Sequence, residues 1–292
     1  MTSDQTPTYE YEGAAREHKG TFITFEGGEG TGKSTQIRLL QARLVAAGYH
    51  VLRLREPGGT HTGEEIRAIL LDPKNTDIDP LSELLLYEAA RAQLVREVIL
   101  PTLDKGCVVL CDRFTDSTLA YQGIARGLGV DLVRRANEVG SDGLVPDRTI
   151  LLVRELNDAM ENATKDGADR LEREGLAFHK RVNEAFGHIH ALDFGRIRRV
   201  YCAQTKQETA QHVYDEVADL LPNAKDIDFK VTQELIDKIK SNRRLEQWQC
   251  DDTADDASGD VTGDAPGSAT GATGAFDTSG ATGDENHNGN NA

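Results

Sequence analysis

Residues 25–36 read FEGGEGTGKSTQ. Gly27, Gly28, Gly30 and Gly32 fall within six positions, and Lys33 follows at once. Before them runs TFITFE (21–26), β-branched and aromatic, the signature of a strand. After them runs KSTQIRLLQARLVAAG (33–48), with Ile37, Leu40, Leu44 and Ala47 at helical spacing and Gly48 as the stop. A chain passing from strand to helix through a loop with so few side chains leaves backbone N–H groups open to a ligand. The pattern Gly27-x-x-x-x-Gly32-Lys33-Ser34 is the Walker A signature. Its chemistry assigns the backbone of Gly27, Gly28, Glu29, Gly30, Thr31, Gly32, Lys33, Ser34 and Thr35 to a phosphate cradle. Lys33 bridges β- and γ-phosphates, Ser34 ligates Mg²⁺, and the positive end of the following helix faces the anion. The expected ligand is a nucleoside triphosphate, ATP.

The rest of the chain repeats the strand–helix alternation. YHVLRLR (49–55), CVVLC (107–111), RTILLV (148–153) and IRRVYC (197–202) read as four further strands. Between them lie TGEEIRAILL (62–71), a short helix with Thr62 as cap and Glu65 three residues on, and a long helix over 79–106. Helices over 169–192 and 207–221 complete the set. Five strands alternating with helices predict a three-layer α/β/α fold: a five-stranded parallel sheet covered on both faces, with ligands at the carboxyl ends of the strands.

Composition bounds the remainder. The net charge of −16 excludes a protein that coats nucleic acid, because such a surface must be basic. Nine Asp/Glu and no Lys/Arg fall between Asp251 and Ala292, a Gly/Thr/Asp-rich stretch with one Phe and no Leu or Ile. Such a segment buries too little apolar area to offset its ordering entropy and is expected to be a disordered tail. Residues 1–19 read as a polar arm, 20–222 as the strand–helix domain that carries the phosphate loop, and 223–250 as a helical extension. Cys107, Cys111, Cys202 and Cys250 form no metal-binding spacing and read as free or buried thiols. No apolar run reaches the roughly 20 residues that span a bilayer, and the N-terminus lacks a secretion h-region. The expected location is the cytoplasm.

A Walker A loop alone does not separate kinases from motors or GTPases. VVLCDRFTDST places Asp112 at the end of an apolar strand, where a carboxylate serves as the Mg²⁺-side partner of Ser34, and no N-K-x-D base-reading signature is present. The ordered set FEGGEGTGKSTQ, REPGGT (55–60), LLLYEAARAQLV (84–95), DRFTDSTLAYQG (112–123) and DRLEREGLAFHKRV (169–182) resembles bacterial thymidylate kinases over about residues 20–221. The resemblance implies a P-loop NTPase fold and transfer of the γ-phosphoryl of ATP to dTMP, giving dTDP for dTTP synthesis, with Mg²⁺ and commonly as a homodimer. It implies that Arg55, Pro57 and Arg113 hold the acceptor phosphate, and that Tyr87 stacks on thymine. Arg91, one turn on, would donate to a base carbonyl. Thr118 and Gln122 would reach the base edge, and Tyr121 would crowd the sugar 2′ position. Glu29 would approach the 3′-hydroxyl, and Ser117 would serve as a helix cap or as a ligand contact.

Two departures from the family pattern stand out. The loop interior carries no arginine, so the cation beside the transferring phosphoryl is expected from the lid, RELNDAMENATKDGADR (154–170). Lys165 stands where a lid arginine is expected; Arg170 and Arg173 are the other candidates. The catalytic set implied is therefore Lys33, Arg113, Lys165 and Arg170. Arg154 replaces an acid that usually ends the fourth strand, and nothing in the sequence explains it. The alternatives are another monophosphate kinase acting on dUMP, UMP or CMP, and a nucleotide-binding protein with weakened catalysis.

Overall fold

The structure, a computed structural model, describes residues 17–155, 169–225, 227 and 229–241. Its frame is one five-stranded, all-parallel sheet in the order β2-β3-β1-β4-β5. The strands are β1 (Thr21–Glu26), β2 (Val51–Arg55), β3 (Val108–Asp112), β4 (Arg148–Val153) and β5 (Ile197–Tyr201). β1 lies at the centre because both its faces are apolar and it must be covered twice. Ile23 and Phe25 face α1 (Lys33–Ala46) and the later helix α8 (Lys206–Asp215), where Ile37, Leu40, Leu44 and Val213 pack against them. Phe22 faces the other way, with Val109, Cys111 and Phe114, toward α3 (Pro80–Leu94) and α4 (Leu100–Asp104). A third cluster joins Tyr121 and Leu151 to Phe178, Val182 and Phe186 of α7 (Leu176–Leu192).

Register decides where the chemistry goes. Phe25 pairs with Asp112, Arg55 pairs with the same Asp112, and Glu26 pairs with Leu151. Glu26, Arg55 and Asp112 therefore leave the sheet together at its carboxyl edge, where a parallel sheet places its ligand crevice.

The structure refines several expected elements. The helix expected over 79–106 is three pieces: α3, a π-helical turn at Val95–Ile99, and α4. Pro101 has no N–H to give back to the preceding turn, so a regular ladder cannot run through it. α2 (His61–Leu71) is capped by Thr60 rather than Thr62: the Thr60 hydroxyl accepts from Gly63 N at 3.0 Å. The helix expected from 169 begins at Leu176, preceded by turns, and the last helix of the core stops at Asp215. α5 (Thr115–Thr118) runs into a second π-helical segment, Leu119–Ala125, followed by α6 (Val130–Ser141). α9 (Gln233–Ser241) falls in the stretch read as a helical extension. Cys111 and Cys202 are free thiols, whereas Cys107, read from the sequence as a free or buried thiol, is disulfide-bonded. The polar arm up to residue 16, most of the lid with Lys165, and the acidic tail lie outside the described residues.

Candidate active site

A cleft of about 1360 Å³ opens at the carboxyl edge of the sheet. Its floor is the glycine-rich loop between β1 and α1. Gly27 sits at φ 132°, and a Cβ there would lie 2.4 Å from the Leu152 carbonyl oxygen, so only glycine lets the loop pass β4 this closely. The Lys33 ammonium folds over the loop and donates to the carbonyls of Gly27 at 3.1 Å and Gly28 at 2.9 Å. Thr31 closes the turn by donating to Gly28 O at 3.0 Å. The Ser34 hydroxyl donates to Asp112 Oδ2 at 3.0 Å, joining the start of α1 to the end of β3. Two hard oxygen donors side by side at a phosphate loop suit Mg²⁺, which takes oxygen ligands and shares them with phosphate.

Arg113, the next residue, adopts φ 72°, and its N–H donates to Phe25 O at 2.9 Å. This turn aims the guanidinium into the cleft. Nη1 donates to Gly27 O at 3.2 Å and Ser117 Oγ at 3.0 Å; Nη2 donates to Tyr121 Oη at 3.1 Å and to the Glu29 carboxylate. Tyr121 Oη in turn donates to Glu29 at 2.9 Å. Burial would raise the Glu29 carboxyl, but Arg113 and Lys33 outweigh it and hold the group down at about 2. Burial and Arg113 lower the Lys33 ammonium, against Glu29, Asp112 and Glu26. Beneath them Glu26 accepts from Phe114 N at 2.8 Å, Ser117 N at 3.2 Å and Ser117 Oγ at 2.5 Å. Burial and the neighbouring Asp116 push its carboxyl up to about 7.

The opposite wall is the loop after β2. Arg55 donates to Pro57 O at 3.1 Å and Glu64 at 3.0 Å, and Arg67 donates to Pro57 O at 2.9 Å. The Glu56–Pro57 bond is cis. Tyr87, Thr118, Tyr121 and Gln122 close the far end, with Tyr121 edge-on to Phe178 and Phe186. Of the residues the sequence singled out, Glu29, Gly30, Gly32, Lys33, Ser34, Thr35, Arg55, Pro57, Tyr87, Arg91, Asp112, Arg113, Ser117, Thr118, Tyr121 and Gln122 line this one cleft.

Two of the expected site arginines are engaged with buried carboxylates. Arg91 reaches the cleft, but all three of its guanidinium nitrogens are engaged within the protein. Nε donates to Glu56 Oε2 at 2.9 Å, Nη1 to Glu88 at 2.6 Å and Asn137 at 3.0 Å, and Nη2 to Thr118 Oγ1 at 2.8 Å, with Glu56 Oε2 also 2.8 Å away. It is 2% exposed, and the two carboxylates hold it charged against burial. Its bond to Thr118 places the guanidinium beside the expected base-edge residues. Arg170 does not line the cleft. It donates to Leu70 O at 2.7 Å and Glu83 Oε2 at 2.5 Å, so its charge is spent inside the protein. Ser117 is tied to Glu26 and Arg113 while also facing the cleft.

The sequence reading passed over Glu56, Arg67, Asp169 and Glu172, which also line the cleft. Asp169 and Glu172 cap each other reciprocally, Glu172 accepting from Asp169 N at 3.0 Å and Asp169 accepting from Glu172 N at 2.9 Å. The D-x-x-E spacing is the signal that marks such a pair. Arg154, unexplained in the sequence, lines the cleft from the end of β4.

Sheet, loop and paired anion-facing cations together define a P-loop phosphotransferase. The thymidylate kinase family model matches residues 25–213. Thymidylate kinase of Thermoanaerobacter sp. (strain X514) is 52% identical over 168 residues, 58% of this chain and 82% of the relative. That of Rhizorhabdus wittichii is 44% identical over 206 residues, 70% of this chain and 99% of the relative. The crystal structure of thymidylate kinase from Ehrlichia chaffeensis superposes with a TM-score of 0.55 at 32% identity, covering 67% of this chain and 97% of that one. The chain belongs to the thymidylate kinase family.

Proposed function

We infer that the chain transfers the γ-phosphoryl group of ATP to dTMP, giving dTDP and ADP, with Mg²⁺ as cofactor. One observation carries the reading: Gly27 O accepts both from Lys33 at 3.1 Å and from Arg113 at 3.2 Å. The cation of the ATP loop and the cation assigned to the acceptor phosphate converge on one oxygen, so phosphates held by each would meet. An anion between them is neutralised from both sides, which is what in-line transfer between two phosphates requires. No general base is needed, because a phosphate monoester oxygen is already ionised near neutral pH.

Lys33 and the loop amides hold the ATP phosphates, and Arg55 and Arg113 hold the dTMP phosphate. Tyr87 covers the base. Tyr121, fixed by its bond to Glu29, fills the space a 2′-hydroxyl would need. Ser34 and Asp112 would hold Mg²⁺, which when bound neutralises phosphate charge. Arg170 is bound to Glu83 away from the cleft, and we assign the transferring group to Lys33 and Arg113, whose cations share Gly27 O.

Purified protein mixed with MgATP and, separately, dTMP, dUMP, UMP, CMP or AMP should release ADP fastest with dTMP. Lys33→Ala should abolish release while the thermal melt is kept. Faster turnover of a ribonucleotide, or an unimpaired Lys33→Ala variant, would overturn the assignment.

We further propose a cytoplasmic homodimer, built from the domain over 20–222 with a helical extension. Ile69 of α2, Leu81 and Leu85 of α3, and Leu132 and Val139 of α6 are exposed apolar side chains on helices that pack together. Sedimentation equilibrium of the protein and of Leu85→Glu tests that face. No described helix is long and apolar enough to cross a membrane.

A further inference from the structure

Arg154 follows β4 directly and lines the cleft. Sheet order decides which side of the phosphate loop it serves. β2 and β3, which lead to Arg55 and Arg113, lie on one side of β1, and β4 and β5 lie on the other. The loop after β1 therefore stands between Arg154 and the two arginines assigned to the acceptor phosphate.

The chain after β5 holds Arg154 against that loop. Cys202 N donates to Val153 O at 2.9 Å, so the two strand ends stay side by side. The Arg154 guanidinium is hydrogen-bonded to the Cys202 sulfur. Cys202 Sγ in turn donates to Thr31 O at 3.3 Å, inside the phosphate loop. Burial pushes the Cys202 thiol up, and Arg154 and Lys33 pull against it, which puts both cations near that one sulfur.

Charge balance sets Arg154 apart from the other arginines. Arg55 faces Glu64, Arg91 faces Glu56 and Glu88, and Arg113 faces Glu29. Among the described residues Arg154 forms no ion pair, and its Nε, shut off from solvent, has no hydrogen-bond partner. A sulfur is a weak acceptor and offsets little of a guanidinium's charge. No carboxylate has to be displaced before an anion reaches Arg154.

We propose that Arg154 binds the triphosphate of ATP by its charge, from the β4 side of the phosphate loop. The loop interior carries no arginine, and a triphosphate brings more negative charge than Lys33 and one Mg²⁺ offset. A guanidinium beside Thr31 and Lys33 supplies the balance through charge-assisted bonds to phosphate oxygens. The inference rests on the kinase reading above, in which the loop holds ATP.

The test pairs steady-state kinetics with calorimetric titration of MgATP into the unaltered protein, Arg154→Gln, Arg154→Lys and Arg154→Asp. Arg154→Gln should raise the KM for ATP and the Kd for MgATP by about tenfold, with the KM for dTMP kept within about twofold. Arg154→Asp, which reverses the charge, should weaken MgATP further. Arg154→Lys, which keeps the charge, should stay within about threefold of the unaltered protein. A structural role would lower the melt and weaken both substrates alike. An unchanged Kd for MgATP in folded Arg154→Gln would overturn the proposal. So would an Arg154→Lys variant as weak as Arg154→Gln, which would mark a contact of shape with the nucleoside and not of charge with the phosphates. If the unaltered protein binds MgATP but turns over no dTMP, the kinase reading fails, and the calorimetric comparison still decides the role of Arg154.

Discussion

Gly27→Ala isolates how much of the chemistry depends on the loop's close passage beneath β4. Gly27 stands at φ 132°, a conformation nearly confined to glycine, and holding alanine there costs about 1–3 kcal/mol. The added Cβ would lie 2.4 Å from Leu152 O, and ordinary contact begins at 3.4 Å, so the loop and the strand must part by about 1 Å. The obstacle is main chain: Leu152 sits in β4, paired with β5 on one side, in a strand that also pairs with β1 on the other. The loop moves, not the strand. Its displaced carbonyl is the one that Lys33 and Arg113 share, so both cations lose their alignment. A 1 Å misplacement of reacting groups costs about 10²-fold in rate. Gly48→Ala is the internal control: it also has a positive φ, 85°, a Cβ there meets nothing within 4 Å, and it does not line the cleft. It should carry only the left-handed strain of about 1–2 kcal/mol in stability, with turnover kept. The assay is coupled ADP release at saturating ATP and dTMP, with thermal melts alongside. Turnover of Gly27→Ala within about threefold of the unaltered protein, or an equal loss in Gly48→Ala, would refute the reasoning.

Asp112→Asn should raise the half-saturating Mg²⁺ concentration by about 10- to 100-fold with little change in the melt, because Asp112 supports the Ser34 hydroxyl at 3.0 Å; a magnesium titration of turnover reads it. Glu29 is held at about 2 against an ordinary 4.5, so it contributes stability that is present above 4.5 and is lost as pH falls from 4.5 toward 2. Urea unfolding from pH 7 to pH 3 should therefore show Glu29→Gln losing less stability on acidification, by about 2 kcal/mol at pH 3, and parallel profiles would contradict the charge balance described for the loop. Arg196 donates to both oxygens of buried Asp116, at 2.7 and 2.9 Å, so Arg196→Met should cost about 3–5 kcal/mol in denaturant unfolding by stranding that carboxylate; a loss under about 1 kcal/mol would show the pair to be incidental.

Local pattern made much of this molecule legible in advance. β1 and β4 occupy the residues that their short apolar, β-branched runs mark, because that length and branching suit a strand buried on both faces better than a helix. The glycine loop is readable because each of its residue types answers to a phosphate. Less legible was whatever depends on a neighbour distant in sequence. The length of the third helix was misread because the apolar pattern continues through Pro101 while the hydrogen-bond ladder does not. Arg91 shares a helix face with Tyr87 by spacing, but spacing is silent about Glu56 and Asn137, which arrive from the β2 loop and from α6 to occupy it.

Four arginines in and behind this cleft show why residue type underdetermines role. Arg55, Arg91, Arg113 and Arg170 carry the same charge, and the fold separates them by what surrounds it. Arg91 faces two carboxylates at 2.6–2.9 Å, and Arg170 faces Glu83 at 2.5 Å; both are nearly buried, and their charge is offset before any ligand arrives. Arg113 meets Glu29 and otherwise only neutral oxygens, one of them on the ATP loop itself. Arg55 is about half exposed at the mouth. An incoming phosphate must displace Glu29 or Glu64 to reach these last two, an exchange of one anion for another. To reach Arg91 or Arg170 it would have to strand a buried carboxylate, at several kcal/mol. Of the four, Arg55 and Arg113 are therefore the ones a phosphate can reach at least cost, in line with the acceptor-phosphate role proposed for them.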